Sequence, residues 1–243
     1  MKRVLGLLLR QEPALVRAFH TWRRHRFVLR LRLLAILRRT SLDVEIGPDL
    51  RLGRRIGVHV APRSAVTVRM GAHCRIGDDV QLHLSSGSLW WGDGVQLRVG
   101  STMKVDGEIW CEGGNIFSFG CVIHCAESIR IQQWSGSAEY ATIVDSAHYF
   151  TEPDVCISEN TVSSPVSIGK NVFLAPRVSV GRGITIGDFS VIGPNSTVTK
   201  DVPAGSLASG VPATVVRMLD LPWDAPRPSG EAAGGSAPGA QHR

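Results

Sequence analysis

Read in sixes from Val162, the chain returns an aliphatic residue at every step: Val162, Ile168, Leu174, Val180, Ile186, Ile192 and Val198. The next residue is small at each step (Ser163, Gly169, Ala175, Gly181, Gly187, Gly193, Thr199). Four places after each aliphatic comes a second small or β-branched residue: Val166, Val172, Val178, Ile184, Ser190, Ser196 and Val202. A period of six is neither the 3.6 of a helix nor the 2 of an amphipathic strand. It predicts a parallel β-helix in which each six makes one short strand and one corner, and three sixes make one turn of a triangular prism. The first aliphatic points into the bore and stacks on its equivalents about 4.8 Å above and below. The small residue after it serves a corner, through a backbone conformation or a close approach that a bulky side chain would obstruct. No single six buries its aliphatic alone, so stability grows by addition of coils.

The same phase is fainter further back. Ile46-Gly47, Leu52-Gly53 and Val58-His59 keep it, Pro62 and Arg63 disturb it, and it returns at Met70-Gly71, Ile76-Gly77 and Leu82-His83. From Ser85 to Glu127 it loosens, marked only by Trp91-Gly92, Leu97 and Val105-Asp106, with Gly113-Gly114 as a turn signal. One continuous all-β prism from Ile46 to about Val202 is expected, of roughly eight or nine coils. Its rhythm breaks between Gln132 and Thr161. Interruptions of a solenoid map to loops thrown out on one face, and such loops tend to carry binding sites. The chain thus divides into an arm at 1–41, the prism at 42–219 with a loop at about 132–161, and a tail at 220–243.

The run from Ile168 to Arg217 resembles the C-terminal part of the hexapeptide-repeat acyltransferases. That family includes maltose, galactoside and xenobiotic acetyltransferases and the O-acetyltransferases of surface polysaccharides. The likeness rests on the repeat and on a cap read in Val198-Thr199-Lys200-Asp201-Val202-Pro203 and Gly210-Val211-Pro212-Ala213. It implies a left-handed parallel β-helix, a homotrimer, and acetyl-CoA or another acyl-CoA as co-substrate.

The stretch Ile143-Val144-Asp145-Ser146-Ala147-His148-Tyr149-Phe150 resembles the family's segment in which an acid precedes the active-site histidine. Acyl transfer from a thioester to a hydroxyl or amine needs a base to take the acceptor's proton, and histidine titrates near neutrality. His148 is therefore the candidate general base, acting directly on the acceptor in a ternary complex with no acyl-enzyme. Asp145 is the candidate partner for the other ring nitrogen. The structural alternatives are a plain surface histidine and an acid that caps a turn. By position, the resemblance assigns the pantetheine arm to Phe173, Ala175, Pro176, Pro194, Thr199, Lys200 and Arg217, with Lys200 and Arg217 suited to the nucleotide phosphates. The chain departs from the family at Phe173-Leu174-Ala175, where sugar acetyltransferases have Trp-Ile-Gly, and at Thr214, where the cap usually has Arg. Asn115 is out of register for the family's asparagine beside the acceptor.

His59, His73, His83 and His124 fall at repeat positions where a solvated face explains them, and no close pair of histidines suggests the zinc site of related carbonic anhydrases. No metal is expected. The five cysteines, Cys74, Cys111, Cys121, Cys125 and Cys156, read as buried thiols in a reducing compartment rather than disulfides or metal ligands.

Charge changes the picture in one place. The net charge is +6, and residues 1–40 hold Lys2 and ten arginines against Glu12 alone. Pro13 opens a helix there, with Leu15, Phe19, Trp22, Leu29, Leu33 and Ile36 on one side. The apolar run is too short for a signal peptide, and arginines interrupt any membrane span. Two readings stand: a basic amphipathic helix on an anionic membrane surface, or a helix packed on the prism or a sister subunit. Nothing beyond charge supports nucleic acid. The Pro/Gly/Ala/Ser-rich tail buries too little to order itself.

The expected function is acyl-CoA-dependent O-acetylation of a sugar hydroxyl in a surface glycan or glycolipid, by a cytoplasmic enzyme peripheral to the inner face of the membrane. The alternatives are an acetyltransferase of an antibiotic, small metabolite or amino sugar, and a non-catalytic scaffold.

Overall fold

The computed structural model describes residues 13–149 and 160–221. Residues 150–159 of the expected loop, Cys156 among them, lie outside the described residues, as do the first twelve and those from 222 on. The chain winds as a left-handed parallel β-helix with three flat faces. Seven strands make the first face, from Ser41–Ile46 to Thr185–Ile186, and seven make the third, from Gly57–Val60 to Thr197–Val198. The second face has nine, from Arg51–Leu52 through Ser206–Gly210 to Ala213–Met218. Those last two strands form an antiparallel hairpin that covers the upper edge. The described residues make seven complete coils rather than the roughly eight or nine expected.

The bore is filled as the period predicts. Ile168, Leu174, Val180, Ile186, Ile192 and Val198 are buried, as are Val166, Val172, Val178, Ile184 and Val202 and the hydroxyls of Ser190 and Ser196. Val162 is the exception. It pairs antiparallel with Ala147 outside the prism, so the in-phase run begins at Ile168. Two requirements share each corner. An added Cβ at Gly187 would lie 2.4 Å from the Ala204 nitrogen on the next coil, so the residue after the aliphatic is small because coils approach closely there. The left-handed conformation falls two residues later, at Asn171, Arg177, Phe189 and Asn195.

The coils are not all alike. Register partners lie 18 residues apart at Ser167 and Thr185, 20 apart at Ser88, Glu108 and Ser128, and 24 apart at Ser41 and Ala65. Three sixes make a coil only near the C-terminal end, and longer corners and strands account for the looser rhythm before it. The excursion is also shorter than expected. Gly136–Ser137 and Thr142–Val144 are regular strands of the second and third faces, and the chain leaves the prism only at Asp145, returning at Val166.

Helix α1 (Ala14–Arg38) lies across the lower end and touches all three strands of the first coil. Phe27, Leu31 and Ala35 are buried against it. A solenoid's end coil has peptide groups with no coil beneath to pair them. Here the arginines of α1 supply donors: Arg23 to the carbonyls of Leu52 and Gly53, Arg24 to Gly47 at 3.0 Å, and Arg30 to Ile56 at 2.9 Å. The packing reading of the arm therefore holds for this side of the helix.

Candidate active site

Between the third and first faces runs an edge of stacked corners, and the chemistry gathers on it. Aspartates build corners on all three edges of the prism. Asp78, Asp93, Asp188 and Asp201 each accept a hydrogen bond from a backbone N–H of the coil below, at 2.7 to 2.9 Å. Asp145 does the same most fully. Its carboxylate is wholly buried and accepts from the N–H groups of Ala126 (2.7 Å), Glu127 (2.8 Å) and Ser128 (2.8 Å), with the Cys125 thiol at 3.4 Å. These contacts point down into the corner. The carboxylate thus holds the coil beneath.

At Asp145 the chain leaves the prism. Ser146–His148 pairs antiparallel with Thr161–Ser163, in the register His148 to Thr161. His148 stands exposed on this hairpin, with its Nδ1 3.3 Å from the Thr161 hydroxyl. The hairpin's return is tied to the edge above it: Ser164 accepts from the Gly183 N–H at 2.9 Å, and its hydroxyl from Arg182 at 3.4 Å. Thr199 and Lys200 occupy the next corner up, both exposed. His148, Arg182 and Lys200 thus share one edge. Arg182 was not singled out by sequence reasoning. Its signal is its place in the repeat, six residues after Pro176 and eighteen before Lys200.

The remaining residues expected to hold the acyl-CoA arm sit elsewhere. Ala175, Pro176 and Pro194 lie on the edge between the second and third faces, where the Asn195 N–H donates to the Pro176 carbonyl at 2.9 Å. Ala175 is buried and Phe173 projects outward from the second face. Arg217 is on the terminal hairpin, opposite Leu207. One chain does not bring these two groups together. Asn115 is buried in the bore and bonds the carbonyls of Gln132 and Ser135, which removes it from any substrate.

Register also aligns outward groups on the third face below the hairpin: His59, His83, Lys104 and His124 on successive coils. His59 and His83 stack with centroids 4.5 Å apart, a close pair invisible to linear spacing. Burial, then neighbouring His59 and Lys104, hold His83 below the ordinary histidine range, against a smaller pull from Asp106. Burial and Lys104 do the same for His124, with His148 adding to it and Asp106 and Asp145 opposing. The sign follows. In the window between the ordinary value and these lowered ones, the unfolded chain binds more protons than the folded one, so stability falls as pH drops through it. The melting temperature is expected to be flat above about pH 7 and to decline below about 6.5. His83→Gln with His124→Gln should flatten that decline, as read by thermal melts across pH.

Among the described residues, no group of three or more His, Cys, Asp or Glu side chains is placed to hold a metal ion. Cys74, Cys111, Cys121 and Cys125 are free and buried, and burial raises their thiols, Cys74 to about 11.

Prism and repeat together make a left-handed β-helix built, at its C-terminal end, on six-residue repeats. Residues 165–200 match the family described as bacterial transferase hexapeptide (six repeats). The chain is 29% identical over 175 residues to a probable acetyltransferase of Mycobacterium tuberculosis, covering 72% of this chain and 51% of that one. It is 32% identical over 124 residues to galactoside O-acetyltransferase of Escherichia coli, covering 46% and 61%. The chain thus spans about half to three-fifths of these relatives' lengths. Among solved structures, a maltose O-acetyltransferase from Clostridium difficile is similar at a TM-score of 0.42 and 22% identity, covering 74% of this chain and 70% of that one.

Proposed function

We propose that the protein is an acyl-CoA-dependent O-acyltransferase that acetylates a sugar hydroxyl in a surface glycan or glycolipid, with His148 as general base. The observation that carries this reading is the exposed imidazole on the same edge as Arg182 and Lys200. It puts a base beside two cations suited to the phosphates of CoA. The names of the relatives, a probable acetyltransferase and a galactoside O-acetyltransferase, support the same reaction class. The His148 imidazole is the base. It takes the acceptor's proton as the oxygen attacks the thioester carbonyl. The C–S bond then breaks, and the CoA thiolate leaves as the thiol with the proton from the imidazolium. No acyl-enzyme is formed.

Ala175, Pro176 and Pro194 line the other edge of the third face, so the proposed acyl-CoA groove needs a second copy laid against the first. A homotrimer in the cytoplasm satisfies this, each groove drawing on two subunits. Incubation with acetyl-CoA labelled in the acetyl group, against a panel of hydroxyl and amino sugars, tests the proposal. Alkali-labile label on hydroxyl acceptors is the expected result. Label confined to amino sugars would make it an N-acyltransferase, and no transfer to any acceptor would leave a scaffold.

A further inference from the structure

We infer that helix α1 is two-sided, and that its outer side docks on an anionic membrane surface, standing the prism upright on the bilayer. The inner side is spent on the first coil, through Phe27, Leu31, Ala35 and the guanidinium groups of Arg23, Arg24 and Arg30. At about 100° per residue, Leu15, Trp22, Leu29, Leu33 and Ile36 fall together on the opposite side. They are 85%, 52%, 57%, 50% and 73% exposed, an apolar stripe on the outer side whose Trp22, Leu29 and Leu33 also edge a groove against Leu52 and Ile56 of the first coil. Monomeric surfaces rarely present such a patch without a partner.

Charge chooses the partner. From Ala14 to Arg38 the helix has seven arginines and no acid. Arg17, Arg26 and Arg32 are exposed, and Arg26 lies over the Trp22 ring at 4.7 Å. Two such helices packed stripe to stripe would face cation against cation. A bilayer bearing anionic lipids accepts both the stripe and the arginines. No described helix is long and apolar enough to cross a membrane, so this contact lies in the interface plane.

The pose has a consequence for the acceptor, which rests on the proposed function. Because α1 lies across the end of the prism, coils count distance from the bilayer. His148 follows Val144 on the fifth coil, and Val144 is four register steps from His59 on the first. At one strand spacing per coil the base stands about 19 Å above the first coil. The acceptor is then a sugar carried well beyond the lipid headgroups, not the headgroup itself.

The test is flotation of the full chain with vesicles of phosphatidylglycerol and phosphatidylcholine, or of phosphatidylcholine alone. It needs no acyl-transfer activity, so its failure is separate from failure of the proposed reaction. The wild type is expected to float with the anionic vesicles and to be released by salt. The triple variant Leu29→Ser, Leu33→Ser, Ile36→Ser should lose binding at least tenfold while keeping its melting temperature, because all three side chains are exposed. Arg26→Glu with Arg32→Glu should lose it as well. Absence of wild-type flotation, or equal flotation of wild type and triple variant, overturns the docking. So does sedimentation showing that the triple variant breaks a self-assembled species that ignores vesicles, which would make the stripe a contact between copies.

Discussion

His148→Ala is expected to lower the rate of acetyl transfer about 10²- to 10⁴-fold, the usual contribution of a positioned general base. The loss should fall on kcat, with the KM for acetyl-CoA nearly unchanged, since the imidazole touches the acceptor's proton and not the nucleotide. Folding should be indifferent. His148 is exposed on a hairpin outside the prism, with the Thr161 hydroxyl 3.3 Å from its Nδ1. Surface substitutions of that kind stay within about 0.5 kcal/mol. Steady-state kinetics beside a thermal melt decide the matter. A variant that transfers label at the wild-type rate removes the base and leaves the scaffold reading. Thr161→Val offers a graded comparison, because it removes only the group facing Nδ1. A fall of about tenfold, with the pH–rate profile displaced, would mark the hydroxyl as a positioning group for the ring.

How far the sequence could be read depended on which corner a residue occupies. The last coils have the minimal 18 residues, so their aliphatics fall in strict sixes and every one from Ile168 onward is buried in the bore. The coils between Ser85 and Glu127 repeat at 20, so a period of six is only loosely kept there. Aligned at 20, the same stretch is regular: Ile109 pairs with Leu89 and Ile129, and Ile123 with Met103 and Ile143. The position of His148 was legible because a break in the repeat and an Ile-Val-Asp run precede it. What Asp145 does was not. A loop aspartate three residues before a histidine reads as its partner in one dimension, whereas coil stacking brings residues 126–128 beneath it. The alignment of His59, His83 and His124 was hidden for the same reason, since unequal coil lengths separate them by 24 and then 41 positions in the chain.

Those contacts of Asp145 make the second large effect one of stability. Removing its carboxylate leaves the N–H groups of Ala126, Glu127 and Ser128 at a corner where the excursion provides no coil above to replace it. Each buried donor left unpaired costs about 1–3 kcal/mol, and hydrogen bonds to a charged acceptor lie at the upper end. Water entering the space would relieve part of this, so Asp145→Ala is expected to cost about 3–5 kcal/mol in all. At about 2–4 °C per kcal/mol for a chain of this size, the melting temperature should drop by roughly 6–20 °C. Asp145→Asn should fall between, because its one carbonyl oxygen can serve some of the three donors while its amide group faces the rest. Activity separates the two roles. Assayed well below the melting transition, Asp145→Asn should keep kcat within a few-fold of wild type if the carboxylate serves the corner. A hundredfold loss of kcat with the melting temperature intact would instead return Asp145 to the imidazole, and would show that the ring and carboxylate meet when substrate is bound.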